Sequence, residues 1–268
     1  MRGRALDRSL YLCHDTAAPV KPLIFIHGVS HGAWCWEEYF GPYFRDRGYD
    51  AIALDLRGHG QRQRIPLRWI PLSAYVEDVR EAVGKLSEPP VVIGHSMGGA
   101  IVQRYLASGG AAAAAVLVAS ATQRGVWGAA LRLATTHPLR FAAINATLSF
   151  KPFVASPDTF ADFFAKSFPR AELERLQPLT QDDSYRAFLD MMLMAFSPPP
   201  PSQVPTLVIA GAEDSLFTPR GQRRLADYHG AEFELFEGLG HDLMLETGWR
   251  QVADRIESFL EALEPVPA

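Results

Sequence analysis

Val91-Val92-Ile93-Gly94-His95-Ser96-Met97-Gly98-Gly99 passes from a β-branched apolar triplet, through a serine bounded by glycines, into a helix-like stretch from Ala100 to Ala107. A G-x-S-x-G sequence between strand and helix describes a nucleophile elbow, a strained turn that leaves the serine hydroxyl exposed above a sheet. Gly94 and Gly98 stand where a Cβ would clash with the neighbouring strand and helix. The helix that starts there points backbone N–H groups at developing negative charge. A glycine-rich turn without chemistry could share the residues; the strand–turn–helix setting separates the two.

Outward from this stretch, short apolar runs alternate with amphipathic ones. Leu23 to Ile26, Ala51 to Leu54, Val91 to Ile93, Ala115 to Ala119 and Thr206 to Ala210 are continuous and apolar, as strands buried on both faces of a parallel sheet must be. Phe233 to Phe236 also reads as a strand. Tyr75, Val79, Val83 and Leu86 recur at helical spacing, and Trp249, Val252, Ala253, Ile256, Phe259, Leu260 and Leu263 form one apolar stripe. The alternation predicts an α/β class fold, a doubly wound, mostly parallel sheet with helices on both faces. From Ala121 to about Pro200 the alternation fails. Helical patterns at Ser156 to Ser167 and Asp182 to Phe196 replace it, and Pro198 to Pro201 ends the region. The expected organisation is a core of residues 1–120 and 201–268 with a helical cap insertion at 121–200.

The chain has 268 residues, 48% of them hydrophobic, and a formal charge of -4. Such a length suits one α/β domain with an insertion, and the slightly acidic balance argues against nucleic acid as a partner. The locally basic loop of Arg57, Arg62, Arg64 and Arg68 reads as solvated rather than as an anion site. Cys13 and Cys35 imply no disulfide framework, and neither has a metal-ligand spacing. Met1 to Leu12 lacks an apolar signal core. No apolar run reaches the ~18 residues of a membrane span. These features predict a cytoplasmic protein that needs no cofactor and no metal; they are silent on oligomeric state.

A serine hydroxyl needs a base to take its proton. Of the histidines, His241 in Gly238-Leu239-Gly240-His241-Asp242 lies on a glycine-rich loop just after a strand, where it can reach across the top of the sheet. His14, His137 and His229 read as surface or helix-end residues and His59 as loop-shaping, while His95 should point away from the hydroxyl. The base needs a carboxylate to fix its tautomer. Gly211-Ala212-Glu213-Asp214-Ser215 offers two, and Asp214, shorter and one step further into the loop, is preferred over Glu213. His27-Gly28-Val29-Ser30-His31-Gly32-Ala33-Trp34 follows the first strand, and its glycine lets backbone approach the elbow. The N–H groups of Val29 and Met97 are the expected oxyanion hole, with Trp34 and Trp36 packed beneath.

With these motifs the chain resembles the α/β-hydrolase superfamily over nearly its whole length, the insertion excepted. His27-Gly28-x-x-His31-Gly32-Ala33-Trp34 is similar to the branch holding plant methyl esterases, hydroxynitrile lyases and related bacterial esterases; Asp55-Leu56-Arg57-Gly58-His59-Gly60 resembles a run common in bacterial members. The resemblance implies Ser96 as nucleophile, Asp214 as acid, His241 as base, and oxyanion donors at Val29 and Met97. Haloalkane dehalogenases and epoxide hydrolases carry aspartate where Ser96 stands. The lyases carry threonine at the position of Gly28 and lysine at that of Asp242, so ester hydrolysis is favoured. The expected reaction is cleavage of a small hydrophobic carboxylic ester through an acyl-enzyme. A thioesterase, lactonase, carbon–carbon hydrolase or lyase would use the same site, and a non-catalytic receptor the same fold. Phe160, Phe164, Met191 and Met194 in the insertion are the candidate substrate-binding residues, because ligand pockets are mostly apolar.

Overall fold

A strand can be apolar along its whole length only if helices cover both faces of its sheet. The computed structural model, which describes residues 21–62, 65–164 and 168–263, shows this arrangement. Its strands are β1 (Leu23–Ile26), β2 (Ala51–Leu54), β3 (Val91–His95), β4 (Ala114–Val118), β5 (Thr206–Gly211) and β6 (Glu232–Phe236). They form one sheet in the order β2-β1-β3-β4-β5-β6, every neighbouring pair parallel. Each residue of β1, β3, β4 and β5 is buried. The edge strand β6 is not, and its Glu232 and Glu234 both pair with Arg255.

Alternate residues feed two cores. Leu23, Phe25, Val91, Ile93, Leu207 and Ile209 face a cluster with Trp36 of α1 (Trp34–Glu37), Phe40 and Phe44 of α2 (Phe40–Arg45), and a C-terminal helix carrying Val252, Ile256 and Phe259. Ile24, Ile26, Val92 and Val208 face the other cluster, with Tyr75, Val76 and Val79 of α3 (Leu72–Val83) and Ile101 and Val102 of α4 (Met97–Ala107). Helix α3 stops before Leu86, the last residue of the predicted stripe. Between β4 and β5 the described residues form no strand but the helices α5 (Trp127–Thr136), α6 (Pro138–Thr147), α7 (Pro157–Phe164), α8 (Arg170–Leu176) and α9 (Tyr185–Leu193). The chain closes with α10 (Pro219–His229) and α11 (Trp249–Ala262).

Along α9, Tyr185, Ala187 and Met191 are buried, whereas Leu189, Leu193 and the following Phe196 stay exposed. One expectation changes. Arg57 and Arg62 do not simply face solvent, since both contact the buried Asp78. Cys13, His14 and Arg64 lie outside the described residues. No helix among those described is long and apolar enough to cross a membrane.

The order of the strands fixes where a site can form. The chain moves from β1 out to β2, then returns to the other side of β1 for β3. The loops leaving β1 and β3 therefore part in opposite directions, and the crevice between them is where doubly wound sheets bind ligands.

Candidate active site

Both loops bring their motifs to that crevice. Ser96 follows β3 at φ 54°, ψ -115°, a left-handed φ that a non-glycine residue adopts only under constraint. The glycines around it permit the turn. A Cβ on Gly94 would sit 2.4 Å from the Gly98 carbonyl oxygen, and one on Gly98 would sit 2.2 Å from that of Ile26. Gly28, after β1, comes so close that an added Cβ would be 2.9 Å from the Ser96 Cβ.

The histidine loop after β6 and the acid loop after β5 meet beside the elbow. His241 Nδ1 lies 2.9 Å from Asp214 Oδ2, and both side chains are buried. Asp214 Oδ1 accepts the N–H groups of Leu216 and Phe217 at 2.7 and 2.9 Å, so both carboxylate oxygens are engaged. Glu213, its neighbour, is exposed. His241 Nε2 is buried and has no hydrogen-bond partner among the described residues. No hydrogen bond joins Ser96 to His241 among the described residues; such contacts commonly tighten only once substrate binds. Burial favours the neutral form of His241, but the Asp214 carboxylate, helped by Asp242 and Glu246, holds the imidazole above its ordinary value.

Ser96, Val29 and Met97 line one cavity whose wall is otherwise apolar. Neither the Val29 nor the Met97 N–H donates to any group among the described residues. Of the four insertion residues chosen from sequence, Phe164 and Met191 lie on the cavity wall; Phe160 and Met194 are fully buried and do not. Phe160 packs instead on His31 and Phe164. The wall also includes Leu133, Phe150, Phe188, Leu216 and Phe217. Leu216 and Phe217 carried a readable signal: two large apolar residues following the acid in a loop with no strand or helix to bury them.

The remaining histidines brace the loops. His95 donates from Nε2 to the His241 carbonyl at 3.1 Å, tying the Ser96 turn to the His241 loop. Burial, with His241 and His31 nearby, pushes its pKa well down. Asp242 does not touch the His241 ring as a partner; its Oδ2 lies 3.0 Å from His31 Nε2. His27 donates from Nδ1 to the Gly28 carbonyl at 2.9 Å, the far side of the peptide that carries the Val29 N–H. His27 stays neutral, since burial and the adjacent His59 push it down to about 3. Trp36 is fully buried, whereas Trp34 stacks on His31 with ring centres 5.2 Å apart. His137 joins α5 to α6 and His229 is the last residue of α10, both at helix ends, with His229 buried. His95, His241 and Asp242 are the one group among the described residues whose ligand-type atoms, all within 4.8 Å, could hold a metal ion. His241 and His95 each already spend one ring nitrogen on a hydrogen bond.

Comparison with known proteins agrees with this architecture. A family model described as the alpha/beta hydrolase family matches residues 23–255. A monoacylglycerol lipase of Mycolicibacterium smegmatis is 26% identical over 257 residues, 90% of this chain and 88% of the lipase. Methylesterase 10 of Arabidopsis thaliana is 39% identical over 90 residues, about a third of each chain (32% and 32%). Among solved structures, an esterase from Exiguobacterium antarcticum superposes with a TM-score of 0.72 at 20% identity, covering 92% of this chain and 94% of the esterase. Polyneuridine aldehyde esterase does so at 0.66 and 19%, covering 90% and 99%.

Proposed function

The chain belongs to the alpha/beta hydrolase family, and from that premise we propose that it is a serine carboxylesterase acting on esters with a hydrophobic acyl or aromatic group. The observation that carries this reading is the meeting, at one apolar cavity, of a strained Ser96, two undonated N–H groups and an imidazole already paired with a carboxylate. Relatives whose names describe a lipase and a methylesterase favour ester substrates.

In this mechanism Ser96 Oγ attacks the ester carbonyl as His241 Nε2 takes its proton, and the Asp214 carboxylate stabilises the imidazolium. The Val29 and Met97 N–H groups hold the oxyanion. His241 then protonates the leaving alcohol, and the acyl group stays on Ser96. Water, deprotonated by the same nitrogen, releases the acid. Helices α5 to α9 act as the cap that walls the acyl side of the cavity. A fluorophosphonate probe should label Ser96 alone, with p-nitrophenyl esters turned over by the unlabelled protein; absence of both would overturn the reading.

The pH profile follows from the charge around the base. Only neutral His241 accepts a proton, and its pKa is raised, so kcat/KM should climb with pH through one ionisation whose midpoint lies above the ordinary imidazole value. A rate that stayed flat from about pH 5 to about pH 8 would argue against a histidine base.

Acyl selectivity follows from the wall. Each methylene transferred from water contributes roughly 0.8 kcal/mol, so two added carbons should raise kcat/KM about tenfold until the cavity is full. An acyl series from acetate to octanoate, with a charged succinate ester as control, measures this. A flat series, or preference for succinate, would show that Phe164, Met191 and their neighbours do not contact the acyl chain.

A further inference from the structure

The segment Gln181 to Ser184, which leads into α9, gathers loops from distant parts of the chain. Asp182 accepts the Phe150 N–H at 2.6 Å and the Ser149 hydroxyl at 2.8 Å. The Gln181 side chain donates to the Gly58 carbonyl at 2.9 Å. The Ser184 hydroxyl donates to the Ile70 carbonyl at 2.6 Å. Between these, Asp183 is 1% exposed and meets only donors. Its Oδ2 accepts the Ser30 N–H at 2.8 Å and lies 3.1 Å from His59 Nε2; its Oδ1 accepts the Ser184 N–H at 2.6 Å.

Ser30 is the residue after Val29, and its φ of 66° is left-handed without being glycine. Such a conformation persists only where the surroundings over-determine it. Here both its main-chain groups are held from the insertion, the N–H by Asp183 and the carbonyl by the Gln181 N–H at 3.0 Å. The peptide joining Val29 to Ser30 is thereby pinned at both ends, because the Val29 carbonyl accepts from His31 Nδ1 at 2.8 Å.

We propose that Asp183 is a positioning residue for the oxyanion-binding turn, holding Ser30, and through it the Val29 N–H, in the geometry that receives the developing charge. This rests on the reading of Val29 as an oxyanion donor. The position requires a carboxylate. Three donors converge on it, so an amide would turn its own NH2 towards one of them whichever way it flipped. Burial opposes both charges, but His59 holds Asp183 below the usual carboxylate range, and Asp183 holds His59 above the usual imidazole value. His59 in turn packs on His27, ring centres 4.7 Å apart, and His27 braces the Gly28–Val29 peptide directly. The seating of the insertion and the shape of the oxyanion turn are in this way one structural unit.

The test compares two inhibitors. An alkyl trifluoromethyl ketone adds Ser96 Oγ to its carbonyl carbon, passes the serine proton to His241 and leaves a negative oxygen on the Val29 and Met97 amides. The matching secondary alcohol occupies the cavity with no carbonyl to attack. Asp183→Asn should weaken the ketone by about 10–100-fold, less than outright loss of an oxyanion donor, and lower kcat in parallel. Its KM and its alcohol affinity should stay within about twofold of wild type. His59→Gln, which keeps the Ser30–Asp183 bond, should shift the ketone in the same direction but less, and carries the test if Asp183→Asn fails to fold. Unchanged ketone affinity in the folded variants overturns the proposal. So does an equal fall for ketone and alcohol, which would place the effect on the cavity rather than on the oxyanion. A wild-type protein that neither binds the ketone nor cleaves esters would instead remove the Ser96 reading beneath it.

Discussion

Ser96→Ala should lower kcat on a p-nitrophenyl ester by about 10⁴–10⁶-fold, the scale seen when a serine nucleophile is removed. The change deletes one oxygen from a side chain that makes no hydrogen bond among the described residues, so nothing else in the elbow needs to move. Alanine also accepts the backbone at φ 54° no less readily than serine, both carrying a Cβ. The Val29 and Met97 amides and the cavity wall remain, so the variant should still bind a substrate-length alcohol and retain a weak rate above that in water. Intact binding with collapsed turnover separates loss of the nucleophile from loss of the fold. Activity within tenfold of wild type would sink the acyl-enzyme mechanism entirely.

Why the sequence marks Ser96 as a candidate but not Asp183 is a matter of how far each signal travels. The elbow is local: strand, glycines and helix N-terminus lie within ten residues, and the chain order Ser96, Asp214, His241 adds a coarse check. Strands β1, β3, β4 and β5 were legible because burial on both faces leaves an unbroken apolar run. Strand β6 is an edge strand whose Glu232 and Glu234 blur that run. The helices between β4 and β5 are only partly legible. Their apolar residues serve the cavity, the two cores and solvent at once, so periodicity marks helices without saying which side is covered. That is why Phe164 and Met191 line the cavity while Phe160 and Met194, equally apolar, do not. Asp183 left no mark at all, because its partners Ser30 and His59 are 153 and 124 residues away. From sequence His59 reads only as shaping its own loop for the same reason; its partner Asp183 is 124 residues away and visible only in the fold.

The choice between the two adjacent acids produces the second large expected effect. Asp214→Asn should lower kcat by about 10⁴-fold, whereas Glu213→Gln should change it by no more than about twofold, as surface substitutions generally do. The asymmetry comes from which atoms the two oxygens of Asp214 meet. Oδ1 accepts two backbone N–H groups of its own turn, and Oδ2 accepts from His241 Nδ1. An asparagine keeps its oxygen on the backbone donors, because turning its NH2 towards them would cost two hydrogen bonds. Its NH2 then faces His241 Nδ1 and donates to it. The ring proton is driven to Nε2, the nitrogen that must be bare to accept the serine proton, so the base is present in the wrong tautomer. The same substitution removes the main carboxylate that raises the imidazole pKa, leaving only the weaker pull of Asp242 and Glu246 against burial. The residual activity of Asp214→Asn should therefore show its acid limb at lower pH than wild type, a shift that simple unfolding would not produce. Glu213, exposed and without a contact to His241, offers no comparable route to the ring. A Glu213→Gln protein more impaired than Asp214→Asn, or an Asp214→Asn acid limb that does not move, would transfer the role of orienting carboxylate away from Asp214.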